Sequence, residues 1–286
     1  MKIVAAAIQM PSLCLDVTTN VQRADDLLRE ARGAGADLAV LPELFNTGYS
    51  LCPDFGPFSE DLEGPTITHL RRRSRAWRMS IAAGFVERDG RHLYDSLVFC
   101  TPEGGVDVYR KRNLVFWERF RFRPGHAPLV VSTSWGRIGF GICADMIYRK
   151  VWNDYRGLID VAVVSAAWPE FTDRRTGRGH WLLGHVGPLS SEIPAKVARD
   201  LGIPVVFANQ CGPTETCIPV LGTTIHDQFA GRSSICDGLH GEPARAGRDP
   251  ELLLSSITIH SQRGMKSWRI MSPSARAGSF SDLAHS

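Results

Sequence analysis

The chain has no long apolar run. No stretch approaches the roughly 18 to 20 apolar residues that a membrane span needs, so no membrane partner is expected. It has little charge of one sign. Its 33 basic and 30 acidic residues leave a formal +3, too small an excess to point to nucleic acid. Cysteines are few and show no pairing: there are seven, at 14, 52, 100, 143, 211, 217 and 236, with no Cys-x-x-Cys. An odd, scattered set argues against a disulfide framework and for a reduced, cytoplasmic protein. A metal-ligand pattern is lacking too. His180 and His185 are spaced by five, not the four that puts two ligands on one helix face. Gly231-Arg232-Ser233-Ser234 has no Gly-Lys-Ser/Thr, and there is no dinucleotide fingerprint. Neither metal nor cofactor is expected. The run at residues 3–8 follows one Lys and is strand-length, too short for a signal segment.

What is present fits a globular protein. Of 286 residues, 43% are hydrophobic and 22% charged, enough for a large core. Residues 3–8 and 38–41 read as buried strands. Between them, Val21, Ala24, Leu27, Leu28 and Ala31 recur at helical spacing, and Gly33 and Gly35 end the helix. Pro65 opens a second helix running to about residue 77, whose Arg71, Arg72, Arg73, Arg75 and Arg78 read as a solvated face. Asp89-Gly90 joins strands 81–87 and 93–100 in a hairpin. Strands follow at 106–109, 129–132, 137–142, 161–165, 203–208, 229–236 and 252–259, with helices at 151–158 and 194–201. No repeat or linker divides the chain. The expectation is one α/β domain over residues 1–264, with mixed sheets packed in pairs and helices outside, and a tail at 265–286.

Three segments stand at the ends of apolar runs, where rigid backbone presents side chains to a cleft. Leu41-Pro42-Glu43 brings a carboxylate, Tyr109-Arg110-Lys111 an ammonium, and Gly141-Ile142-Cys143 a thiol. Together they supply base, charge stabiliser and nucleophile for acyl transfer. A carboxylate in apolar surroundings has its charged form disfavoured and becomes a usable base near neutrality. After Lys111 come Phe116, Trp117, Glu118, Phe120 and Phe122, aromatics interleaved with charge, which suit a cleft wall that holds Glu118.

In order, these segments resemble the nitrilase superfamily of carbon–nitrogen hydrolases over nearly the whole chain. Supporting pieces are Phe122-x-Pro-Gly125, Ser165-Ala-Ala-Trp168-Pro169, Ala208-Asn209-Gln210 with Gly212, and Phe229-x-Gly231-x-Ser233-Ser234-Ile235. The resemblance implies a four-layer α-β-β-α sandwich and a catalytic Glu43, Lys111 and Cys143, with Glu118 as the second family glutamate. It implies no cofactor, a homodimer or larger assembly, and hydrolysis of a small linear amide or N-carbamoyl compound through a Cys thioester. A nitrilase, a thioester-based acyltransferase and a catalytically silent scaffold are the alternatives.

The chain departs from the family pattern at several positions. Ala144-Asp145 stands where nitrilases carry Trp-Glu, which favours an amide or carbamoyl substrate over a nitrile. Asn113 replaces a His. Ile147 occupies a position where some relatives place an Arg, so no carboxylate clamp is expected there, and Arg149 and Lys150 are expected to start a solvated helix. Tyr49, Trp117 and Trp168, with Phe116, are candidates to line an apolar pocket. The Ala144 N–H is a candidate oxyanion donor. The Pro- and Thr-rich stretch 211–227 is expected to shape the pocket mouth.

Overall fold

The computed structural model describes residues 1–50, 54–171, 186–218, 223–238 and 244–260. The tail, the boundary at residue 264 and the His180–His185 pair lie outside the described residues.

β1 (Lys2–Gln9) is apolar on both faces. Ile3, Ala5 and Ala7 turn to one core, Ala6 and Ile8 to another, as a strand covered on both sides requires. α1 (Val17–Gly33) starts where the Asp16 side chain accepts from the Thr19 N–H, a capping contact. Its Ala24, Leu28 and Ala31 form the buried stripe. β2 (Leu38–Val40) pairs parallel to β1. α2 (Pro65–Trp77) has Pro in its first turn and ends at Arg78 in the left-handed conformation. β3 (Ser80–Asp89) and β4 (His92–Cys100) make the expected hairpin, and β5 (Val106–Arg110) pairs with β4. β14 (Glu251–Thr258) closes the other edge, giving a six-stranded sheet in the order β14-β1-β2-β3-β4-β5.

The second sheet uses β6 (Val130–Thr133), β7 (Gly136–Ile142), β8 (Val161–Ala166), β9 (Val205–Asn209), β12 (Ser234–Cys236) and β13 (Ala244–Arg245). Its order is β13-β12-β9-β8-β7-β6. α3 (Arg149–Tyr155) and α4 (Val186–Leu201) cover its outer face, as α1 and α2 cover the first sheet. The inner faces meet in a shared core where the rings of Phe99 and Phe140 lie 5.3 Å apart. This is the expected four-layer α-β-β-α sandwich. No helix among the described residues is long and apolar enough to cross a membrane.

Four local readings change. α4 begins at Val186, not near residue 194, and Pro194 lies inside it. Burial of Ala195, Val197 and Ala198 against the second sheet offsets the amide hydrogen bond that a proline removes. The apolar run 229–236 breaks at Gly231 and Arg232, both at positive φ (61° and 57°), so it forms two strands. The stretch 211–227 forms most of a hairpin of β10 (Cys211–Ile218) and β11 (Thr223–Ala230). Ser50 Oγ donates to the Glu215 carbonyl at 2.9 Å and Thr214 Oγ1 to that of Tyr49 at 3.3 Å, which fastens the hairpin to the Tyr49 segment. Arg73 leaves the solvated face of α2 and grips the buried Asp25 of α1 through two bonds of 2.6 and 2.9 Å.

Candidate active site

Glu43 lies just past β2 with no exposed surface. Its backbone presses onto β3. A Cβ on Gly84 would sit 2.5 Å from the Glu43 Cα, so only glycine admits this approach. The second sheet holds it from the other side. The Ala167 N–H donates to Glu43 Oε2 at 2.6 Å, and Gln210 Nε2 donates to the Glu43 carbonyl at 2.7 Å.

Lys111 continues β5 and sits across the strands from Asp95, to whose carbonyl its N–H donates at 2.9 Å. Gly125 braces it, donating its N–H to the Lys111 carbonyl at 2.7 Å. The Lys111 ammonium is fully buried and uses all three of its donors: Glu43 Oε1 at 2.5 Å, Glu118 Oε1 at 2.6 Å and Asp95 Oδ2 at 3.1 Å. These three carboxyl groups converge within 4.8 Å of one another, as a cation site would, and the Lys111 ammonium is bound to each. Burial works against the Lys111 charge, but Glu118, Glu43 and Asp95 outweigh it and hold its pKa well above the ordinary lysine value.

Glu118 comes from a 3₁₀ turn, Phe116–Phe120. Its Oε2 accepts from the Val115 N–H at 2.9 Å. The Tyr49 hydroxyl donates to Oε1 at 2.8 Å and itself accepts from Trp117 Nε1 at 2.9 Å. Tyr49 and Trp117 therefore form a relay that fixes Glu118. Burial raises the Glu118 carboxyl, against the pull of Lys111.

Cys143 ends β7 at φ 42°, in the left-handed region. A non-glycine residue held there is strained and marks a turn that exposes its side chain for a purpose. The thiol is partly exposed. Burial pushes it well above the ordinary cysteine value, Glu43 and Glu118 add to that, and Lys111 and the Ala167 N–H oppose it. The Cys143 side chain is thus favoured as a thiol, and the same Ala167 amide faces both it and Glu43.

Two departures from the family pattern meet in space. Asp145 accepts from the Asn113 N–H at 2.9 Å, from Asn113 Nδ2 at 2.8 Å, from the Tyr109 hydroxyl at 2.8 Å and from the Ile142 N–H at 3.1 Å. It thereby ties the cysteine turn to the lysine segment. Ala144 is buried beside it. Trp168 is buried in the core outside the second sheet, and its N–H donates to Asn209 Oδ1 at 2.7 Å. Of Phe116 only the backbone is described. Arg149 opens α3 and is exposed, as are Lys150, Ile147 and Tyr148.

The carbon–nitrogen hydrolase family model matches residues 4–233. The chain belongs to the carbon–nitrogen hydrolase family. Within the nitrilase superfamily, it is 36% identical over 149 residues to a protein of Pyrococcus abyssi named nitrilase, covering 51% of this chain and 57% of that protein. It thus spans just over half the length of that relative. An N-carbamoylputrescine amidase of Arabidopsis thaliana is 26% identical over 217 residues, 70% of this chain and 71% of that protein. Among solved structures, a CN-hydrolase superfamily protein of Xanthomonas campestris superposes with a TM-score of 0.74 at 21% identity, covering 90% and 91% of the two chains. It bears an arsenic adduct in its active site. An amidase of Nesterenkonia, as a cysteine-to-alanine mutant, superposes at 0.71 and 22% identity over 89% and 90%. These likenesses establish the shared fold.

Proposed function

We propose that this carbon–nitrogen hydrolase is an amidase that cleaves a small linear amide or N-carbamoyl compound through a Cys143 thioester. The observation that carries the reading is the single buried cluster in which Lys111 binds Glu43 and Glu118 at the strand end facing Cys143. Glu43 takes the thiol proton as Sγ bonds to the carbonyl carbon. The oxyanion is held by Lys111 and the Ala144 N–H. Collapse breaks the C–N bond, and Glu43 returns the proton to the leaving nitrogen as ammonia or amine. Water then attacks the thioester, Glu43 accepts its proton, and the acid departs as the thiol is restored.

Asp145 argues for an amide over a nitrile, because its four hydrogen bonds commit it to scaffolding. The relatives named nitrilase make nitrile hydrolysis the second reading, and transfer of the acyl group to an amine is a third. Among the described residues, the arginines Arg112, Arg232 and Arg248 are engaged in ion pairs. Arg112 pairs with Asp154 at 2.5 Å, and Arg232 and Arg248 both hold Glu170. The preferred substrate on this reading is a neutral, moderately hydrophobic amide, with Tyr49, Trp117 and Ala144 around it; Trp168, buried in the outer core, supports the site from behind. A panel of amides, carbamoyl compounds and nitriles assayed for ammonia release tests the class. Matched neutral and omega-carboxyl amides test the charge: a preference above about tenfold for the carboxylated series, near 1.4 kcal/mol, would show a basic residue facing the acyl group.

The proposal extends to a cytosolic setting, where a thiol nucleophile stays reduced, and to a homodimer or larger assembly. Ile147 and Tyr148, 53% and 48% exposed beside α3, are apolar surface that a partner copy would cover. Light scattering is expected to give at least twice the 31.6 kDa chain mass. A monomer at micromolar concentration would contradict the assembly.

A further inference from the structure

Lys111 carries one positive charge and faces three carboxyl groups. Glu43, Asp95, Glu118 and Lys111 are all buried. If all three acids were ionised, two negative charges would stand uncompensated in the interior, a costly arrangement. The imbalance falls on Asp95. Its contact with Lys111, at 3.1 Å, is the longest of the three. Its other oxygen, Oδ1, is buried with no hydrogen-bond partner. A bare carboxylate oxygen in that position would be closed to bulk solvent and would lack a donor among the described residues. A proton on Asp95 cuts the excess from two negative charges to one, and lets the carboxyl donate toward Glu43 where two acceptors would otherwise meet.

We propose that Asp95 is a positioning residue that works as a neutral carboxylic acid, holding one proton beside Glu43 and Lys111. The inference rests on the thioester mechanism above and deepens it. A neutral acid accepts from an ammonium more weakly than a carboxylate does. Of the three Lys111 N–H groups, the one on Asp95 is thus the one released to a developing oxyanion, while the bonds to Glu43 and Glu118 persist.

The surroundings support this protonation state. Burial raises the Asp95 carboxyl well above its ordinary value, Glu43 and Glu118 push the same way, and Lys111 opposes them. Lys111 faces it from the end of β5, Glu43 from beyond β2 and Glu118 from its 3₁₀ turn. On β3 the paired residue is the apolar Val86. Tyr49 and Cys143, which face the same cluster, are themselves held protonated by burial. As pH rises through the Asp95 transition, the cluster gains a negative charge. That charge disfavours the Cys143 thiolate and binds Lys111 more tightly, so reactivity is lost on the alkaline side.

Asp95→Asn tests this, since the amide is neutral at every pH. The first readout is the rate of Cys143 alkylation by iodoacetamide, followed on the Cys143 peptide from neutral to alkaline pH. The second is kcat/KM for an amide over the same range. The D95N enzyme is expected to fold, to turn over amide at neutral pH, and to gain on wild type by about tenfold or more in alkylation rate as pH rises. A D95N-to-wild-type ratio that stays constant with pH would overturn the proposal. So would a D95N protein that fails to fold, or that is inactive at every pH while wild type turns amide over, because a neutral isostere would then not replace the group. If the alkylation ratio climbs but neither wild type nor D95N hydrolyses amide, the substrate reading fails and the Asp95 assignment stands. If amides turn over and the ratio is flat, the reverse holds.

Discussion

Cys143→Ala is expected to abolish turnover, by at least about three orders of magnitude, because it removes the sulfur proposed to bond the substrate carbon. The fold should survive. Cysteine and alanine share the β-carbon that meets the left-handed backbone at φ 42°, so the strain is unchanged. Cys143 is only partly buried as a residue, and the loss of one sulfur atom leaves little cavity. Thermal unfolding within about 3 °C of wild type, near 1 kcal/mol for a chain of this size, is the accompanying expectation. A purified Cys143→Ala protein that still releases ammonia would sink the mechanism.

Glu43→Gln should cost about 10² to 10⁴ in kcat/KM, the usual worth of a positioned acid–base group. Both Glu43 oxygens are engaged, Oε1 by Lys111 and Oε2 by the Ala167 N–H. A glutamine can accept only one of these contacts through its oxygen, and its NH₂ must then face another donor. The substitution therefore removes the base and loosens Lys111 together. Two readouts separate it from a folding defect: Cys143 alkylation should slow while the melting transition stays single. Were Glu43→Gln to hydrolyse amides at the wild-type rate, proton transfer would have to be assigned to another group.

Much of the site is legible in the sequence because each of Glu43, Lys111 and Cys143 follows an apolar run that can only be a strand. The strand ends align once the sheets form. Asp95 escapes such a reading because it lies within a hairpin strand, where an acidic residue passes for the solvent face. The signal was nevertheless present: Asp95, Leu97 and Phe99 share parity, and Leu97 and Phe99 belong to the inter-sheet core. Asp145 and Asn113 were visible singly, as departures from a pattern. Their bond joins residues 32 apart, and no local period reports such a contact. Gln210 is visible too, within Ala208-Asn209-Gln210, but its bond to Glu43 from 167 residues away is hidden for the same reason. Pro194 reads as a helix start, yet α4 begins at Val186, because tertiary burial overrides that preference.

Glu43 is gripped by β3 on one side and by the segments after β8 and β9 on the other. Chemical competence is therefore a property of how the two sheets are mated. A half-molecule, however well folded, would own Cys143 or Glu43, the proposed nucleophile and base, but not both. By the same logic, a substitution at Phe99 or Phe140, whose rings touch across the seam, is a catalytic perturbation even though neither ring lies in the site. A slip of one sheet over the other by an ångström would misalign base and thiol at a cost of about a hundredfold in rate. The greasy seam of this sandwich is the mounting of its active site, and its tolerance to mutation is set by the alignment of the reacting atoms as well as by thermal stability.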